Sequence, residues 1–152
     1  MRCLTMSYGY VGKMSNLIID KIAAYFRGRE EVVAVYLFGS YAAGNELTTS
    51  DIDLGLLFNT INPSLMENHL NRYLVELPRL IRKDIHPVAM NSAGELLLKQ
   101  IFSKGKPILV KDPKEHDQFR MVMYSRILDY SYLLEKIKSG FVSHIMKEAD
   151  DR

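Results

Sequence analysis

The stretch that decides the fold is Leu37–Phe58, LFGSYAAGNELTTSDIDLGLLF. It puts Gly39-Ser40 directly after one apolar run and sets Asp51 and Asp53 into another, among Ile52, Leu54, Leu56, Leu57 and Phe58. Carboxylates in such company are costly unless a positive group meets them. In a strand, residues two apart face the same side, roughly 7 Å apart at Cα, so Asp51 and Asp53 aim at one point. Without a cation they would repel, and one would tend to stay protonated. Oxygen ligands from one or two carboxylates, completed by water and phosphate, suit Mg2+, which can neutralise a nucleotide triphosphate during in-line attack.

Gly39-Ser40 ends the neighbouring strand. A glycine there lets backbone amides come close to phosphate, and a serine hydroxyl can donate a further hydrogen bond. The Gly44 turn helps the chain double back. A third carboxylate is then wanted to accept the proton of an attacking hydroxyl, and Asp84, which opens a later strand after LIRK, is the best-placed candidate.

Around this motif the pattern alternates strand and helix. VVAVYLF (Val32 to Phe38) and DIDLGLLF (Asp51 to Phe58) read as strands buried on both faces. DIHPVAM (Asp84 to Met90) reads as a third strand, where Pro87 argues for an edge, and Pro107 to Val110 as a short fourth. A first helix runs from Ser15, as N-cap, through Leu17, Ile18, Ile22, Tyr25 and Phe26 to a stop at Gly28. Asn62-Pro63 opens a second, which Pro78 kinks or ends. Ser92 and Glu95 form a capping box for a third, closed by Gly105. After Asp112-Pro113, Phe119, Val122, Met123, Ile127, Tyr130, Leu133, Leu134 and Ile137 trace a helical stripe over about 114–139, read as core, with a partner-binding face as the alternative. The fold class expected is α/β: a small mixed sheet flanked by helices, with a long C-terminal helix.

The chain has 152 residues, enough for a single core but too few for two good ones. It is 47% hydrophobic and 25% charged, which excludes the disordered class. The net charge of +2, spread without long like-charge blocks, makes no electrostatic case for nucleic acid or membrane. The single cysteine, Cys3, excludes an internal disulfide and fits a reducing cytoplasm. No apolar run reaches membrane-spanning length and no signal peptide is evident, so the cytosol is the expected location. Residues 1–13 lack periodicity and are read as a tail or as preceding a natural start at Met14. His69, His116 and His144 have no metal-ligand spacing, and His86 is read as a structural or exposed imidazole.

The segment GSYAAGNELTTSDID resembles the signature of the polymerase-beta-type nucleotidyltransferases, and the short chain resembles their minimal nucleotidyltransferase (MNT) branch. The resemblance spans about Ser15 to Val110. It implies the nucleotidyltransferase fold, with 14–152 as one minimal domain. It also implies triphosphate contact by Gly39 and Ser40, Mg2+ binding by Asp51 and Asp53 with two ions during catalysis, and completion of the metal site by Asp84. ATP is the implied substrate. Many relatives have Arg or Lys where this chain has Ala43, so a basic phosphate contact is missing or comes from elsewhere. MNT proteins often pair with a HEPN ribonuclease toxin and silence it by transferring AMP onto a tyrosine, which implies an AMPylating antitoxin here. The alternatives are a small-molecule nucleotidyltransferase of the aminoglycoside-modifying kind and an antitoxin that acts by binding alone.

Overall fold

The structure, a computed structural model, describes residues 13–44 and 50–150, and the side chains of 16–44 and 50–140. Most of the expected tail and the spacer 45–49 between Ser40 and Asp51 lie outside these residues. The elements run α1 (Lys13–Arg27), β1 (Val32–Phe38), α2 (Gly39–Ala43), β2 (Ile52–Phe58), α3 (Pro63–Ile81), β3 (Ile85–Ala89), a 3-10 turn (Met90–Ser92), α4 (Glu95–Lys104), β4 (Lys106–Val110) and α5 (Pro113–Asp150).

The strands form one mixed sheet of order β3-β2-β1-β4. β1 is antiparallel to β2 and to β4, whereas β2 and β3 run parallel. Both faces are covered, which is why β1 is buried at every position. On one face Ile52, Leu54, Leu56 and Phe58 pack with Ile22 and Phe26 of α1 and Tyr73 and Leu77 of α3. On the other, Val33, Tyr36 and Leu57 pack with Leu98 and Ile101 of α4 and Met123 and Ile127 of α5. Alternation along β2 therefore sends Asp53, Gly55 and Leu57 to the α4 side. A Cβ on Gly55 would lie 3.3 Å from Ile101 and Met90, so a larger residue there would make those side chains give by a few tenths of an ångström. Pro87 sits on an edge strand, as expected.

Several boundaries differ from the sequence expectation. α1 already includes Lys13 and Met14, so Ser15 lies inside the helix and is not its N-cap. The Gly-Ser turn opens directly into the short helix α2. Pro78 does not end α3, which continues to Ile81; the amide of Arg82, in the left-handed region at φ 60°, closes it by donating to the Pro78 carbonyl. The Ser92/Glu95 capping box is absent. Ser92 is held in the 3-10 turn and Gly94 is the N-cap, while the Glu95 carboxylate accepts from Arg126 of α5 at 2.5 Å.

The largest correction concerns α5. It passes through Gly140 to Asp150, because an isolated glycine costs a helix only about 1 kcal/mol. Its stripe is core only in part. Met123 and Ile127 are buried, but Leu133 and Ile137 are each more than half exposed, since the helix outruns the sheet that would cover them, and Val122, beside Met123, is 57% exposed.

Candidate active site

The apolar β1 strand ends at Phe38, which pairs with Asp53 of β2. The next residue, Gly39, has φ +71°, and a Cβ there would stand 2.1 Å from Asp53 Oδ2. Glycine is required twice at this position, by its backbone conformation and by the carboxylate lying against it. Ser40 follows in α2, and Gly44, at φ 72°, caps that helix in the left-handed conformation. Gly39, Ser40 and Asp53 are thus brought together at one end of the sheet.

Asp51 immediately precedes β2 and Asp53 lies within it, their side chains 46% and 31% exposed. The parallel register sets His86 of β3 opposite Asp53. His86 Nδ1 lies 3.8 Å from Asp51 Oδ2 and 3.7 Å from Asp53 Oδ1. Burial holds the Asp53 carboxyl above the usual carboxylate range, and the Asp51 charge adds to this against the opposing pull of His86. Such a carboxylate gains most from a neighbouring cation, so the donor chemistry fits a divalent ion.

Asp84 stands differently. It is exposed, it precedes β3, and its backbone carbonyl accepts from the Ile52 amide at 2.9 Å. As the side chains stand, no group of three or more His, Cys, Asp and Glu among the described residues is set to hold a metal ion. His86, which the sequence reading takes as a structural or exposed imidazole, is exposed and stands beside both aspartates. The signal available was its place two residues beyond Asp84 in an alternating strand, but its approach to the aspartates depends on the β2–β3 register. Lys83 Nζ stands 5.4 Å over the Tyr41 ring, so a positive charge lies beside α2 although Ala43 supplies none. A cleft of about 300 Å³ between Phe58–Ile61 and α5 lies at the opposite end of β2 from the aspartates.

No helix among the described residues is long and apolar enough to cross a membrane. Among curated proteins none matches the sequence. Among solved structures, a chain of a toxin–antitoxin assembly with AMP-PNP is similar at 22% identity and TM-score 0.60, over 84% of this chain and 98% of that one. A chain from the complex of tri-AMPylated Shewanella oneidensis HEPN toxin with MNT antitoxin is similar at 20% identity and TM-score 0.56, over 87% and 98%. A chain of the toxin–antitoxin MntA-HepT matches at 20% identity and TM-score 0.55, over 86% and 98%. The family model described as polymerase beta, nucleotidyltransferase matches residues 20–114. That span holds both strands of the Gly-Ser and Asp-x-Asp motif, and the chain belongs to the polymerase beta nucleotidyltransferase family.

Proposed function

We propose that this protein is an antitoxin that transfers AMP from ATP onto a hydroxyl, a tyrosine hydroxyl in the expected case, of a HEPN ribonuclease toxin. The observation that carries the reading is Asp53 seated against Gly39 at the end of β1, with Asp51 two residues before it, in a chain of this family. Support for the substrate and partner comes from the similar solved assemblies, one with AMP-PNP and one with a tri-AMPylated HEPN toxin. The exposed apolar side chains of α5, Leu128, Tyr132, Leu133 and Ile137, favour a protein as second substrate over a small molecule.

Asp51 and Asp53 would hold Mg2+, which when bound neutralises the triphosphate and polarises the α-phosphate. Gly39 leaves room for phosphate beside Asp53, and the Ser40 hydroxyl donates to a phosphate oxygen. In the transfer, the target oxygen bonds to the α-phosphorus, the bond to the β,γ-pyrophosphate breaks, and the hydroxyl proton leaves to a base or water. A third protein group belongs beside the pair, and the start of β3 offers two, Asp84 and His86.

Co-expression with the cognate HEPN toxin tests the reading. Asp51→Asn with Asp53→Asn should abolish protection of growth while the complex still co-purifies. Full protection by the double variant would place the antitoxin activity in binding alone.

A further inference from the structure

The two groups at the start of β3 are not equivalent. His86 pairs in register with Asp53, and both face α4, because Ile85 and Ala89 take the opposite side with Ile52 and Leu54. Its Nδ1 stands nearly equidistant from the two carboxylates, at 3.7 and 3.8 Å. Those separations are too long for direct hydrogen bonds. They are close to what an ion between the groups requires. At metal–ligand distances of about 2.1 Å, adjacent octahedral donors stand about 3 Å apart, so the imidazole need approach each carboxylate by less than about 1 Å. His86 is 57% exposed and so free to make that movement. Asp84 lies outside the strand, and its backbone is tied to Ile52.

The geometry points to His86, rather than Asp84, as the third protein ligand of the divalent ion held by Asp51 and Asp53, giving a two-oxygen, one-nitrogen set that favours Mn2+ over Mg2+. This rests on the metal-dependent reading of the site above. Imidazole suits transition metals, whereas Mg2+ is best served by oxygen alone. A carboxylate at position 86 would give the site back its all-oxygen character.

The test is Mn2+ titration of the full chain without nucleotide, followed by electron paramagnetic resonance, with electron spin-echo modulation to detect nitrogen bound to the ion. The wild type should bind Mn2+, show imidazole nitrogen coupling, and release the ion only to a large excess of Mg2+. His86→Ala should remove the coupling and weaken binding at least about tenfold, since even loss of an outer partner of a metal ligand costs roughly 10–100-fold. Asp84→Asn should change affinity by less than about twofold, and His86→Asp should move the preference toward Mg2+. Absence of bound Mn2+, absence of nitrogen coupling, or an Asp84→Asn loss equal to that of His86→Ala would overturn the inference. Asp51→Asn with Asp53→Asn separates the two levels. If it abolishes binding while His86→Ala does not, only the role of His86 falls; if it leaves binding intact, the aspartate pair is not the metal site and the proposed function falls with it.

Discussion

Gly39 and Asp53 are in van der Waals competition for one place: a Cβ on the glycine would stand 2.1 Å from the aspartate Oδ2, and the glycine backbone is left-handed at φ +71°. Gly39→Ala must therefore push the carboxylate aside. The carboxylate is the far end of a movable side chain, so the stability cost is mainly the left-handed backbone, roughly 1–2 kcal/mol. That is about 2–8 °C in thermal midpoint for a chain of this size. Transfer should fall much further, by at least about 100-fold, because displacement of a reacting group by an ångström has that effect. Thermal unfolding and a nucleotide-transfer assay on the same preparation check the disparity.

Asp53 should weaken the metal-free fold. Its carboxyl is raised by burial, with the Asp51 charge contributing. The unfolded chain therefore releases this proton at lower pH than the folded one, and the folded state loses stability as pH rises through the carboxylate range. Asp53→Asn, measured in chelator at neutral pH, should leave the midpoint equal or higher while eliminating transfer. A clear drop in midpoint would contradict the electrostatic account of the site.

His116 gives the opposite pH dependence. It is buried at the start of α5, its Nε2 sharing a hydrogen bond of 2.6 Å with the Tyr36 hydroxyl. Burial, and then Arg120, hold its pKa below the usual histidine value against the pull of Asp117. The unfolded chain thus takes up a proton first as pH falls, and stability declines below about 6.5 until the folded-state pKa is passed. His116→Phe should flatten that part of the stability–pH curve, seen in denaturant midpoints at pH 7 and pH 5.5.

The two halves of α5 should respond differently to substitution. Ile127 is buried among Met123 and the β1 side chains, so Ile127→Ala should cost about 2–4 kcal/mol. Leu133 and Ile137 are 53% and 57% exposed, so Leu133→Ser with Ile137→Ser should change the unfolding free energy by no more than about 1 kcal/mol. If this face meets the HEPN partner, the second pair should weaken the complex, measurable by calorimetry.

The contrast between these residues also shows how far the sequence could be read. β1 and β2 were legible because an unbroken apolar run such as VVAVYLF fits a strand covered on both faces, and Pro87 marked β3 as an edge. The extent and covering of α5 were not, since periodicity reports a helical face without saying where the sheet beneath it stops. The cap at Ser92 failed because a local signal competed with the 3-10 turn closed by the Ala93 amide on the Met90 carbonyl. In the site, Gly39, Asp51 and Asp53 share adjacent strand ends and could be found by spacing. His86 meets them only through the parallel pairing of β2 and β3 across α3, a relation that local spacing does not encode.

Intact-mass analysis of the cognate HEPN protein, after incubation with this chain, ATP and Mg2+, tests the central claim most directly. The account predicts a gain of one or more AMP units that disappears when Asp51→Asn and Asp53→Asn are combined. An unchanged mass, with a stable complex still formed, would contradict it.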